Sequence, residues 1–184
     1  MYFSHLFVPL RLDYIRKRKM KQKTLFCIVL MLLGFVHVAQ AQLPAVTLKT
    51  IGGQSVDVST LSNDGKPFII DFFATWCKPC NRELDAISEV YADWQEETGV
   101  KIFAVSIDQA QNINKVKPLV ENHNWEYDVL LDPNSELKRA LGGQVIPYVV
   151  ICDGEGNIVY KHSGYTDGGE LELIEKVREL IAGK

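Results

Sequence analysis

Two cysteines three positions apart, Cys77 and Cys80, enclose Lys78 and Pro79 and follow Trp76. Side chains at i and i+3 share one face of a helix, so the two sulfurs can close into a disulfide and reopen with little backbone movement. A thiolate in such a pair attacks a foreign disulfide, and its neighbour resolves the mixed disulfide that forms. A helix N-terminus presents free N–H groups and the positive end of the dipole. A thiol there is acidified, to about 3.5–7.5 in activated cases. Cys77 is therefore the expected attacking thiolate, with Lys78 adding positive charge beside it, and Cys80, one turn deeper, the expected resolving thiol. Pro79 is tolerated because its missing N–H would be unpaired in a first turn.

Other readings of the pair are weaker. A structural disulfide across three residues closes too short a loop to restrict the unfolded chain much. Zinc needs about four ligands, usually a second Cys pair or a His pair, and His123 and His162 stand alone. Copper delivery through the dithiol and His162 is a third reading. A thiol peroxidase is a fourth; it would need a Thr-x-x-Cys setting, and Thr75-Trp76-Cys77 lacks that spacing. No metal and no cofactor is expected.

Two carboxylates stand near the pair. Asp71 is the polar residue of an otherwise apolar run, Phe68 to Ala74. Alternation in a strand puts it on one face with Ile69 and Phe73, and burial on both faces would raise its pKa. It could then take the Cys80 proton; the alternative is a buried aspartate satisfied by backbone or a lysine. Glu83 follows Cys80 by three and can face the same pocket; the alternative is a solvent-facing glutamate of the first helical turns.

Residues 46–51 and 54–58 around Gly52-Gly53 predict a hairpin. Residues 67–74 suit a strand covered on both faces. Cys80, Leu84, Ile87, Tyr91 and Trp94 recur at helical spacing, and Gly99 stops that helix. Residues 100–107 form the next strand, making a βαβ unit with parallel strands. Further on come a helix over 112–123 whose start Pro118 blurs, a strand at 128–131 and a helix at 132–141. A hairpin of 146–152 with 157–163 and a last amphipathic helix at 170–182 complete the chain. Trp94 and Trp125 are expected in the core, and Cys152, in the run Val149-Val150-Ile151-Cys152, is expected to be a buried inert thiol.

The stretch Asp71-Phe72-Phe73-Ala74-Thr75-Trp76-Cys77-Lys78-Pro79-Cys80 resembles the active-site segment of the thioredoxin superfamily. The N-terminal hairpin, an αβ insert near 112–131 and an export signal make the chain similar to the TlpA/ResA-like exported thiol–disulfide oxidoreductases. That resemblance covers roughly residues 44–182. It implies a thioredoxin fold of the α/β class: a mixed central sheet flanked by helices on both faces, with an N-terminal β-hairpin and a central αβ insert. It also implies dithiol exchange with extracytoplasmic proteins, as a reductant, for example in cytochrome c maturation. Glu83 matches a glutamate of that family's site, and Ile146-Pro147 matches its cis-proline position, where the Ile146 backbone would pair with an extended substrate. Trp76 would offer an apolar docking surface. Tyr148 stands where the family usually has threonine, with an expected effect on substrate fit.

The 184 residues suffice for one domain plus a targeting segment. Lys21 and Lys23, the apolar stretch Leu25 to Val38 and Ala39-Gln40-Ala41 have the order of a secretory signal peptide. Met20 is the expected start, with cleavage after Ala41 and a thioredoxin-like domain over 42–184; a retained membrane anchor is the alternative. Seven of the 20 basic residues and one of the 23 acidic residues lie in 1–41, so the remainder holds 13 basic against 22 acidic residues, net −9. That charge argues against nucleic acid and anionic membrane as partners. The expected partners are disulfide-bearing protein substrates and an upstream thiol reductant.

Overall fold

The computed structural model describes residues 41–183. The expected signal segment, Ala41 apart, lies outside the described residues.

The glycine-pair hairpin forms as β1 (Thr47–Thr50) and β2 (Ser55–Asp57), followed by a single 3-10 turn at Val58–Thr60. β3 (Phe68–Phe73) is buried at every position. It is central, pairing in parallel with β4 (Lys101–Ser106) and antiparallel with β6 (Tyr148–Cys152). β5 (Asp128–Leu131) joins β4 in parallel and accepts β1 antiparallel, while β7 (Ile158–Ser163) closes the other edge. The resulting seven-stranded order is β2-β1-β5-β4-β3-β6-β7.

Among the described residues four α-helices pack on these strands: α1 (Lys78–Thr98), α2 (Val116–His123), α3 (Glu136–Ala140) and, after β7, α4 (Glu170–Ala182). They divide unequally between the faces. Leu84, Ile87 and Trp94 of α1, Val120 of α2 and Ile174 of α4 pack on one face with Ile69 and Phe73 of β3. Phe68, Ile70 and Phe72 face the other way, where only Leu137 of α3 is helical and Leu43 and Val58 complete the cover. Strand alternation thus holds along β3, and it sends Asp71 to the face carrying α1.

α1 ends where the sequence places its stop. Gly99 adopts φ 67°, a left-handed conformation that costs glycine little. Its N–H closes on the Gln95 carbonyl at 2.9 Å. The flanking Thr98 hydroxyl donates to the Trp94 carbonyl and accepts from the Val100 N–H.

Three local expectations need correction. The helix expected over 132–141 spans only Glu136–Ala140. Ser135 sits at φ 52°, outside right-handed helical space, so no helix can run through it. The Asp132 carboxylate instead caps the shorter helix, accepting from the N–H groups of Glu136 at 2.7 Å and Lys138 at 3.0 Å. The helix expected over 112–123 is α-helical only from Val116, after a 3-10 turn at Ile113–Lys115. Pro118 is the third residue of α2, where its missing N–H falls among donors that have no intrahelical partner. Tyr148 does not face the dithiol. Its ring stacks on Phe72 with centroids 5.8 Å apart and its hydroxyl donates to the Leu141 carbonyl at 2.7 Å, on the opposite face of the sheet.

Candidate active site

The site forms where β3 runs out and α1 begins. Cys77 is the N-cap of α1, in extended conformation at φ −86°, and its sulfur accepts the Cys80 N–H at 3.3 Å. Lys78 opens the helix and Pro79 follows within its first turn. Cys77 and Cys80 are joined by a disulfide, with α-carbons 5.3 Å apart. The sulfurs differ in access: Cys77 keeps 6 % of its surface and Cys80 none. Trp76, one residue earlier, is 63 % exposed.

The turn carrying Trp76 is held from beneath by a residue that sequence reasoning passed over. Asp108, 1 % exposed just past β4, accepts from the Thr75 N–H at 2.7 Å and the Thr75 hydroxyl at 2.7 Å. It also accepts from the Ser106 hydroxyl at 2.9 Å. A carboxylate bonded to a backbone N–H and two hydroxyls makes charge-assisted bonds, stronger than neutral ones. A signal existed in the aspartate two residues past an apolar strand, but strand and turn meet only through the β3–β4 pairing.

Two carboxyl groups are enclosed on the elements that carry the dithiol, Asp71 on β3 and Glu83 on α1. Asp71 is wholly buried in the middle of β3, paired with Ala104 on one side and Val149 on the other. Glu83 is 1 % exposed, which excludes the solvent-facing reading. Neither Asp71 oxygen has a hydrogen-bond partner among the described residues, nor has Glu83 Oε2. A structural aspartate satisfied by backbone or lysine is thereby excluded too. Burial holds both groups above the usual carboxylate range, and the charge of Asp71, then that of Glu170, raises Glu83 further. Two like charges so placed do not ionise together. The pair therefore keeps a proton at pH values where ordinary carboxyls have lost theirs.

Carboxyls with raised folded-state pKa values stabilise the fold fully below their unfolded values, near pH 4, and that contribution is lost as pH rises through the folded values. Stability to urea should therefore fall as pH is raised from 5 to 9. Asp71→Asn should flatten that fall, and an unchanged slope in the variant would show that Asp71 carries none of it.

The Ile146–Pro147 peptide is cis. β6 pairs Tyr148 with Phe72, so Pro147 reaches the same end of the sheet from which β3 passes into the Cys77 turn. The Pro147 carbonyl accepts the Gly164 N–H at 2.8 Å, and Ile146 is partly buried against both core clusters. Cys152 is fully buried, its thiol pushed up to about 12 by burial first and by Asp153. His162 lies beside Tyr160 on β7, 3.3 Å from its hydroxyl, and His123 is bonded to Asp85 at 2.6 Å. Among the described residues no three His, Cys, Asp or Glu side chains group as a metal site.

A dithiol at the head of a helix that follows the central strand of such a sheet, with the cis-proline turn at the same end, defines a thiol–disulfide oxidoreductase of thioredoxin fold. The chain belongs to the AhpC/TSA family, whose pattern it matches over residues 39–161. It is similar to sporulation thiol-disulfide oxidoreductase A of Bacillus subtilis, 31 % identical over 150 residues that cover 76 % of this chain and 88 % of that protein. It is also similar to the thiol-disulfide oxidoreductase ResA of Halalkalibacterium halodurans, 27 % identical over 73 % of this chain and 72 % of ResA. A solution structure of an uncharacterized thioredoxin-like protein from Porphyromonas gingivalis is 63 % identical. It superposes with a TM-score of 0.70 over 78 % of this chain and 94 % of that one.

Proposed function

We propose that this oxidoreductase is an exported dithiol reductant of extracytoplasmic proteins. Cys77 attacks a substrate disulfide as thiolate, forming a mixed disulfide and releasing the substrate's other sulfur as thiolate. Cys80 then attacks Cys77 Sγ, its proton passing to the Asp71–Glu83 pair, and the reduced substrate leaves as the Cys77–Cys80 disulfide closes. An upstream thiol reductant restores the dithiol. Trp76, Lys78 and Pro79 on one side and Ile146 and Pro147 on the other flank the substrate segment. The signal-like segment before residue 42 supports export, with membrane attachment only if that segment is retained.

The observation that carries this reading is the asymmetry of the two sulfurs: one at a helix cap near the surface, the other fully enclosed, with two carboxyls buried on the adjoining β3 and α1 that have oxygens without a partner. The enclosed carboxyls, which act against the thiolate that the helix cap favours, also support the direction. A dithiol is oxidising when its reduced, thiolate-bearing form is stabilised. Buried carboxyls oppose negative charge on sulfur, and Lys78 is the lone cation within the Cys77–Cys80 motif. The redox equilibrium against glutathione should therefore place the pair nearer about −270 mV than about −120 mV, the values of a strongly reducing and a strongly oxidising dithiol. A value near the upper figure would reverse the assigned direction. Negligible consumption of hydrogen peroxide is expected alongside.

A further inference from the structure

Trp76 is the shared wall of two clefts. The larger, about 730 Å³, lies between the segment after β4 and the turn before α3, with Gln109, Gln111, Asn112, Asn134 and Arg139 on its walls. The smaller, about 530 Å³, continues past Asn112 to Asn114, Lys115, Leu119 and Asn122. Both fall within the roughly 300–1,000 Å³ usual for ligand clefts. They lie toward β4 and β5, whereas the cis-proline turn leads into β6 on the other side of β3.

The chemistry of the walls is unusual for this chain. No carboxylate lines either cleft among the described residues, although acidic residues outnumber basic ones 22 to 13 beyond residue 41. Six of the sixteen lining residues carry side-chain amides, four of them in the larger cleft. Each amide carries donors and an acceptor, the same complement as a peptide group. Gln111 Nε2 donates to Gln109 Oε1 at 2.7 Å, which holds the two side chains together and leaves Gln109 its donors and Gln111 its acceptor.

We propose that this amide-lined cleft is a second docking face, which holds the backbone of an extended, neutral or acidic polypeptide segment of the substrate next to its disulfide. The proposal rests on the reading of Cys77 as the sulfur that attacks protein disulfides. Trp76 joins the cleft to the cysteine that follows it, so a segment lying against the indole is delivered to Cys77. Recognition through amides reads main chain rather than sequence, so the face accepts many proteins while discriminating against small disulfides, which cannot reach it.

The test compares insulin with hydroxyethyl disulfide as substrates for the wild type and the Gln109→Ala/Gln111→Ala/Asn112→Ala variant. The variant should lose about tenfold in kcat/KM with insulin, mainly through KM, as expected for two or three lost hydrogen bonds. Its rate with hydroxyethyl disulfide should stay within about twofold, which also reports an intact dithiol. Equal losses on both substrates, or none on either, would overturn the docking face while leaving the reductant reading in place. A wild type inactive on both would remove that reading and this one with it. Because amides and tryptophan also suit sugars, chitohexaose is the competitor: inhibition of insulin reduction by it would overturn a polypeptide as the occupant.

Discussion

Cys77→Ser should abolish disulfide exchange, lowering insulin reduction by at least about a thousandfold, whereas Cys80→Ser should accumulate a stable mixed disulfide with substrate. The asymmetry follows from position. Cys77 Sγ accepts the Cys80 N–H at the open end of α1, where a negative sulfur meets a backbone donor and the positive end of the helix dipole. Cys80 has no exposed surface and cannot be the point of first contact with a protein. Serine at 77 removes the nucleophile and leaves a thiol that no substrate reaches. Serine at 80 leaves the nucleophile and removes the thiol assigned to displace the substrate, so the adduct persists until an external thiol cleaves it. Mass spectrometry of the two variants after incubation with an oxidised protein separates the roles. Adducts on the Cys77→Ser protein, or faster alkylation of position 80 than of 77 in the reduced wild type, would refute the assignment.

The second large effect concerns the proton. Asp71→Asn and Glu83→Gln should each slow resolution of the mixed disulfide by about a hundredfold, the lower end of what a positioned acid–base group contributes. The double variant should lose much less than the product. The two carboxyls lie in one enclosed space, both above their ordinary range, and the charge of one raises the other. On the proposed mechanism they form a single acceptor of the Cys80 proton, and groups that act as a unit give non-additive losses. The wild-type resolving rate should rise with pH as the pair gives up its proton, and the double variant should lose that rise. Rapid-quench measurement of mixed-disulfide decay across pH supplies both tests, and multiplicative losses would end the idea of a shared acceptor.

Much of this was legible before any coordinates. The i, i+3 thiols, the helix periodicity from Cys80 to Trp94, the stop at Gly99 and the alternation in β3 are local patterns, each set by geometry within one element. The resemblance around Trp76 and Cys77 added the cis-proline position, which no local pattern marks, since Ile146-Pro147 is distinctive only once β6 is laid against β3. What escaped was non-local. The α3 boundary turned on Ser135 taking a left-handed conformation, with Asp132 as a cap held at the end of β5. Tyr148 looked like a change in the substrate site until the strand register turned it to the other face. Asp108 is ordinary in sequence and reaches Thr75 only because β3 and β4 pair in parallel.

By itself the chain determined its reactive pair, the helix that carries it and the class of exchange it performs, because thiol spacing and helical caps are properties of neighbouring residues. The tertiary structure alone decided that Cys80 is wholly enclosed, that buried Asp71 and Glu83 have oxygens without a partner, and that Trp76 stands between two clefts whose described lining holds no carboxylate. Those properties depend on what each residue loses contact with when the sheet closes, and exclusion of water is a property of the packed whole.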